Sequence, residues 1–307
     1  MPRTLPFPAL SRSLRLFASA AGLLLSLAFP AHAQISVRDD AGNTVTLARP
    51  AERIVSLAPH MTETLFAAGA GERIVGTVEH SDYPAAATRI VRIGSYSRVD
   101  LEAVAALKPD LILGWESGNA TAHLGKLKAL GYTIYLSQPN HIEDVAGEIE
   151  RLGALAGTGA TANAEADRLR ARLAALRAEY AGKPTVRTFY QFWQRPVMTV
   201  GREQIITDVI RLCGGENVFG HLDQMAPTVS VEAVIAANPE AIVASGRDDA
   251  RPEWLDEWKR WPGVEAVKRN NLFVVPGELI MRHTPRLFDG AERLCRHLET
   301  ARQRRPR

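Results

Sequence analysis

Tyr83, Tyr96, Trp115, Tyr190, Phe192 and Trp193 stand in loops or at the ends of apolar runs. Rings of this kind, gathered at one opening, clamp a large flat molecule through contact area and stacking, without covalent chemistry. Each also has an ordinary alternative as core packing. At Phe192 and Trp193, strand alternation sends only one of the two inward. Trp115 closes an apolar run just before Glu116-Ser117-Gly118-Asn119, which favours the opening. Reactive constellations are missing: the chain has no G-x-S-x-G elbow, P-loop, H-E-x-x-H or G-x-G-x-x-G. Its histidines are scattered, with His60, His80, His123, His141, His221 and His283 among them, and none forms an i, i+4 pair beside an acid. No catalytic residue and no metal-ligating set is assigned.

The elements that must position these rings alternate at short intervals. "ISVR" and "TVTL" flank "DDAGN" as a hairpin. Strand "RIVSLAP", helix "TETLFAAGAG" and strand "RIVGTV" follow. After the loop "SDYP" come helix "VDLEAVAALKP", strand "DLILGW", helix "HLGKLKALG", strand "YTIYLS" and helix "IEDVAGEIERLGALAG". This alternation is the mark of a parallel α/β sheet. "AEADRLRARLAALRAEY" is different: it has no Gly or Pro, and Leu169, Leu173, Leu176 and Tyr180 share one face of a long helix. The pattern then restarts with strand "TVRTFYQF", helix "QIITDVIRLCGG", strand-like "VFG", helix "VSVEAVIAANP" and strand "AIVAS". Helix "PEWLDEWKRW", strand "NNLFVVP" and a last helix around "RLFDGAERLCRHLE" complete it.

The restart is also a repeat. "VDLEAVAALKPDLIL" from Val99 matches "VSVEAVIAANPEAIV" from Val229, and "TLFAAGAGERIVG" from Thr64 matches "DVIRLCGGENVFG" from Asp208. Two matches in the same order argue for two homologous lobes flanking the long helix. A ligand then belongs in the cleft between them, among loops at the carboxyl ends of strands. The linking helix permits only slight closure. Glu102 and Glu232 hold the same place in each copy, two residues after the N-cap candidates Asp100 and Ser230 and beside the apolar stripe. As ordinary first-turn acids they favour their helix dipoles.

Arg3, Arg12 and Arg15, the run "LFASAAGLLLSLAF" and "AHA" before Gln34 read as a secretory leader with cleavage after Ala33. The run is short for a membrane span, which takes roughly 20 residues. The 37 Lys+Arg against 34 Asp+Glu include those three leader arginines, so the mature chain is balanced. The remaining basic run, "RQRRPR", reads as a frayed end, and nothing calls for nucleic acid. Cys213 and Cys295 suit a disulfide in an exported chain, with two buried thiols as the alternative.

"RIVSLAPHMTETLFAAG", "SDYP", "LEAVAALKPDLIL", the long helix and "CGGENVF" together resemble the periplasmic substrate-binding proteins of ABC importers for cobalamin, haem and ferric siderophores. The likeness runs from Gln34 to Leu298, and the late "TPRLFDGAERLC" brings it nearest the cobalamin branch. The resemblance implies an α/β fold of two Rossmann-like lobes joined by one long rigid helix, with the ligand cleft between them. The expected division is a leader over 1–33, a first lobe over 34–157, a linking helix over 158–182 and a second lobe over 183–307. It places ligand contacts at His80, Tyr96, Trp115, Met198, Glu278 and Arg282. It puts the disulfide Cys213–Cys295 within the second lobe. Against the branch pattern, His80 replaces a tyrosine, Tyr96 a tryptophan, Met198 an aromatic and Ala226 a tryptophan.

What the resemblance implies is a non-enzymatic, monomeric carrier in the periplasm. It would hold cobalamin or a related corrinoid, need no cofactor, and deliver to an inner-membrane ABC permease dimer with its ATPase. Glu102 and Glu232 would meet arginines on the two permease halves. Haem or a ferric siderophore is the alternative cargo. A zinc or manganese carrier needs histidines and carboxylates converging on one ion, and an exported hydrolase needs a nucleophile motif that is missing. Intact-mass measurement of the exported protein is expected to find Gln34 at the N-terminus and a mass short by the pair of hydrogens that a disulfide releases. Free thiols in native protein would count against the pairing.

Overall fold

The computed structural model describes residues 34–246 and 250–306, so the leader read over residues 1–33 lies outside the described residues. Strands β1 (Ile35–Arg38) and β2 (Thr44–Leu47) pair antiparallel, Ile35 opposite Leu47. Their turn docks on the first lobe. The Asp40 amide donates to the Leu136 carbonyl at 3.0 Å, and the Asp39 and Asp40 carboxylates accept from the Leu136 and Gln138 amides.

The first lobe carries β3 (Ile54–Ser56), helix α1 (Pro59–Ala67), β4 (Ile74–Thr77), α2 (Leu101–Ala106), β5 (Leu111–Trp115), α3 (Thr121–Ala129), β6 (Ile134–Ser137) and α4 (Asp144–Ala156). Its strands pair in parallel in the order β4-β3-β5-β6. After the long helix α5 (Gly159–Tyr180) come β7 (Val186–Gln191), α6 (Ile205–Leu212), β8 (Gly215–Asn217), α7 (Val231–Ala237) and β9 (Ala241–Gly246). A 3₁₀ helix over Glu253–Arg260, α8 (Glu265–Lys268), β10 (Leu272–Pro276), α9 (Gly277–Ile280) and α10 (Leu287–Gln303) complete the second lobe. Its sheet is again parallel, in the order β8-β7-β9-β10. In each half the second strand lies outside the first and the third and fourth follow on the other side, so the repeat in the sequence is a repeat of topology.

Both lobes share one core. Helix α5 buries Ala162, Ala166, Leu169, Leu173, Leu176 and Tyr180, in steps of four and three along one face. The cluster on that face holds Met61, Leu65 and Leu152 of the first lobe and Val186, Val209 and Phe288 of the second. The other faces of the sheets have separate cores, around Ile112 and Leu127 in one lobe and around Phe189 and Trp258 in the other. Helix α4 approaches α5 so closely that a Cβ on Gly153 would lie 2.2 Å from that of Ala162. The chain then reverses through Gly157 at φ 66°, a left-handed position that glycine takes without steric cost.

Local capping follows the sequence. Asp100 accepts from the amides of Glu102 and Ala103, and Ser230 from that of Ala233, each ordering the start of a short helix. Cys213 and Cys295 are joined at 2.05 Å, tying α6 to α10, and both are fully buried. Three expectations are corrected. The strand expected at Val218–Gly220 lies earlier, at Gly215–Asn217, where the backbone can pair with Val186–Thr188. "PEWLDEWKRW" winds as a 3₁₀ helix after Pro252. The basic tail is tied down: Arg302 donates to the carbonyls of Pro184 and Cys213, and Arg305 pairs with Glu240.

Glu148, on α4 beneath the docked hairpin, is fully buried, and neither carboxylate oxygen finds a hydrogen-bond partner among the described residues. Burial, with Asp40 nearby, raises its pKa from 4.5 to about 8. The folded state therefore keeps a proton that the unfolded chain releases above pH 4.5. Stability from this group falls as pH rises toward 8, by about 1.4 kcal/mol per pH unit inside that window. Glu148→Gln is expected to flatten this decline, gaining most over the wild type near pH 8. Denaturant melts at a series of pH values check it, and parallel profiles would refute it.

Candidate functional site

The carboxyl end of β5 is held by one buried side chain. Asn119 accepts from the Trp115 amide at 2.6 Å and donates to the carbonyls of Leu57 at 2.9 Å and Tyr96 at 2.6 Å. Three loops at the top of the first sheet are thereby clipped together, which sets the aromatic wall. Tyr96 leans on Trp115 with ring centroids 5.7 Å apart, and His60 meets Trp115 edge-on at 5.3 Å. His60 in turn lies 5.7 Å from His283, which the other lobe contributes. Burial depresses both imidazoles: His283 falls to about 4, and His60 lies well below its usual value, with His283 and Arg282 adding to the effect. Both are neutral at neutral pH. His60 Nε2, Trp115 Nε1 and His283 Nδ1 are buried without hydrogen-bond partners among the described residues.

Beside this ladder the lobes are pinned by charge. Glu63 on α1, its side chain 2% exposed, receives two hydrogen bonds from Arg286, at 2.9 and 2.8 Å. A third comes from Arg282 at 2.6 Å. Arg282 also donates to Asp82 at 2.9 Å and to the His80 carbonyl at 3.1 Å. Burial works against the Asp82 anion, yet Arg282 holds its pKa below the usual carboxylate value. The Arg286 guanidinium lies 3.9 Å from the Tyr83 ring centroid. The loop carrying His80 and Asp82 is fixed from beneath by Ser81, which bonds Thr77 at 2.8 Å.

On the second lobe a cavity of about 860 Å³ opens at the carboxyl ends of β7, β9 and β10, lined by Phe192, Trp193, Trp254, Glu278 and Met281 among others. Phe192 and Trp193 both border it, but only Phe192 also packs inward against the shared core. Trp193 is 58% exposed and Met281 42%.

The sequence candidates are thus distributed over both lobes. Tyr96 and Trp115 are in contact, and Glu278 lines the cavity. His80 is exposed on a left-handed backbone at φ 63°. Met198 is half-buried on a short bridged segment beside Trp193 and Thr228 and does not line the cavity. Arg282 directs its donors to the other lobe. Glu102 and Glu232 are both exposed. Sequence reasoning did not single out Glu63, Arg286, Asn119 or Trp254, nor the juxtaposition of His60 with His283. The spacing in "HMTE" and "RHTPR" was visible, but not that the two segments meet across the molecule. Among the described residues, no group of three or more His, Cys, Asp or Glu side chains is placed to hold a metal ion.

Residues 54–279 match the family described as periplasmic binding protein. The vitamin B12-binding protein of Vibrio cholerae is 36% identical over 224 residues, 73% of this chain and 80% of that one. That of Vibrio vulnificus is 37% identical over 231 residues, 74% of this chain and 82% of its own. Among solved structures, the periplasmic vitamin B12 binding protein of Vibrio cholerae superposes with a TM-score of 0.77 at 35% identity, covering 83% of this chain and 99% of that one. A periplasmic heme-binding protein from Roseiflexus shares the fold, with a TM-score of 0.71 at 22% identity over 81% of this chain and 99% of its own.

Replacing Glu63 by Ala would leave Arg282 and Arg286 facing each other without their shared anion. The expected loss is about 3–5 kcal/mol, the scale for breaking a buried ion pair from one side. Chemical denaturation measures it, and a loss below about 1 kcal/mol, the surface-pair scale, would deny the clasp its weight.

Proposed function

The chain belongs to the periplasmic binding proteins, and from that we propose that it carries cobalamin or a close corrinoid in the cleft and hands it to an inner-membrane ABC permease dimer with its ATPase. Proteins of this family bind substrates for importers and are not enzymes. What supports the corrinoid reading is a set of aromatic side chains beyond the strand ends of each lobe. Tyr96 against Trp115 lies on one lobe and Phe192, Trp193 and Trp254 on the other, in a chain that shares 36% identity with vitamin B12-binding proteins. Faces of this kind bury a large macrocycle's apolar area, while Glu278 supplies a polar contact. His80 is the exposed first-lobe contact in this reading, Met198 stands behind Trp193 on the second lobe, and Arg282 acts by holding the His80–Asp82 loop against the other lobe.

Haem is the second reading. It is favoured by the exposed imidazole of His80, a ligand type suited to iron. The carrier works as a monomer in the periplasm after loss of its leader. Glu102 and Glu232, exposed at matching helix starts of a duplicated fold, are the docking anions. A permease with two-fold symmetry presents one cationic site to each lobe.

Titration calorimetry with cyanocobalamin and with haem tests the cargo. Stoichiometric cobalamin binding is expected, weakened by on the order of 1–3 kcal/mol in Trp115→Ala, the scale of burying a large side chain. Haem binding lost in His80→Ala, with no heat from any corrinoid, would reassign it. The joint substitution Glu102→Ala with Glu232→Ala is expected to abolish uptake through the cognate importer, since a desolvated interfacial charge is worth roughly 2–5 kcal/mol. Normal uptake at equal protein level would leave these residues as helix-start acids alone.

A further inference from the structure

The second-lobe cavity of about 860 Å³ carries three aromatic side chains, Phe192, Trp193 and Trp254, in its lining. The Trp193 indole N–H donates to the Arg195 carbonyl at 3.2 Å, which favours one orientation of the ring. Trp254 stands at the start of the 3₁₀ helix, and Phe192 is packed against the shared core. Rings lining one cavity can stack on a planar group that enters it.

The charges at the rim narrow its chemistry. Arg195 pairs with Glu257. Arg251 is held by Asp256 at 2.7 Å and by the Leu272 carbonyl at 2.9 Å. Among the described residues, both rim cations are thus already paired. Glu278, half-buried in the lining, has no partner among the described residues. An unpaired carboxylate repels phosphate and accepts from hydroxyls and amines, as acidic side chains do toward a ribose diol. Ser245, also in the lining, has its hydroxyl engaged by the Tyr190 hydroxyl.

Resting on the corrinoid reading, we infer that this cavity binds a neutral nucleoside substituent of the cargo, its base stacked between Trp193 and Trp254 and its ribose hydroxyls on Glu278. A corrinoid offers such a group in two places: an adenosyl ligand on the metal, with a free diol and an exocyclic amine, or the base of its nucleotide loop, whose ribose bears a phosphate. The chemistry of Glu278 selects the adenosyl group.

Four probes separate the sources by titration calorimetry in the dark: adenosylcobalamin, adenosylcobinamide, cyanocobalamin and dicyanocobinamide. Each adenosyl form is expected to bind about tenfold or more tightly than its cyano counterpart, with or without the nucleotide loop. Trp254→Ala and Glu278→Gln are each expected to compress that ratio to within about twofold. Equal affinity of adenosyl and cyano forms overturns the inference. So does a preference set by the nucleotide loop alone, or an adenosyl-to-cyano ratio unchanged in both variants. No heat with any of the four removes the corrinoid reading itself, a failure distinct from the others.

Discussion

One apolar face, that of helix α5, fixes how the two lobes stand. Met61 and Leu65 from one lobe and Val209 and Phe288 from the other are packed into the same cluster along it. Separating the lobes widely would expose that surface to water, at roughly 25 cal/mol per Å² of apolar area. The molecule can therefore flex at the opening only within what a shared core allows, and the loops at the strand ends are placed almost as rigidly as the strands.

The opposite side of the junction has a different character. There, contact is made by Glu63 with two arginines and by neutral His60, set between Trp115 and neutral His283. Polar contacts of this kind are directional. They hold one geometry well and contribute little once it is lost. The pairing of an apolar spine with a polar seam gives a cleft that is preformed and still able to adjust by small movements. The nitrogens of His60, Trp115 and His283 that find no partner among the described residues mark the place where that seam is least satisfied.

Much of this architecture could be read along the chain. Period and punctuation located the strands, the four-and-three spacing of Leu169, Leu173 and Leu176 gave the long helix, and two ordered matches gave the duplication. Asp100 and Ser230 were legible as caps because capping is local. The illegible parts are long-range. Glu63 meets Arg282 and Arg286 across 219 and 223 residues of sequence, and no local pattern in "HMTE" or "RHTPR" encodes that distance. Trp254 was hidden for a related reason: its segment was read only as a helix, and nothing local says that the segment packs where the ends of β7, β9 and β10 open a cavity. The basic tail misled because composition does not report that Pro184, Cys213 and Glu240 present acceptors where it ends.

The docked hairpin has a consequence for the molecule among its own copies. Strand β6 is the outermost strand of the first sheet, and its free rim would offer a row of backbone donors and acceptors to any passing chain. The turn between β1 and β2 occupies that rim, with the Leu136 amide and carbonyl and the Gln138 amide engaged by Asp39 and Asp40. Arg151 locks Asp40 in place at 2.6 Å. The first described residues of the chain thus act as a guard against edge-to-edge self-association.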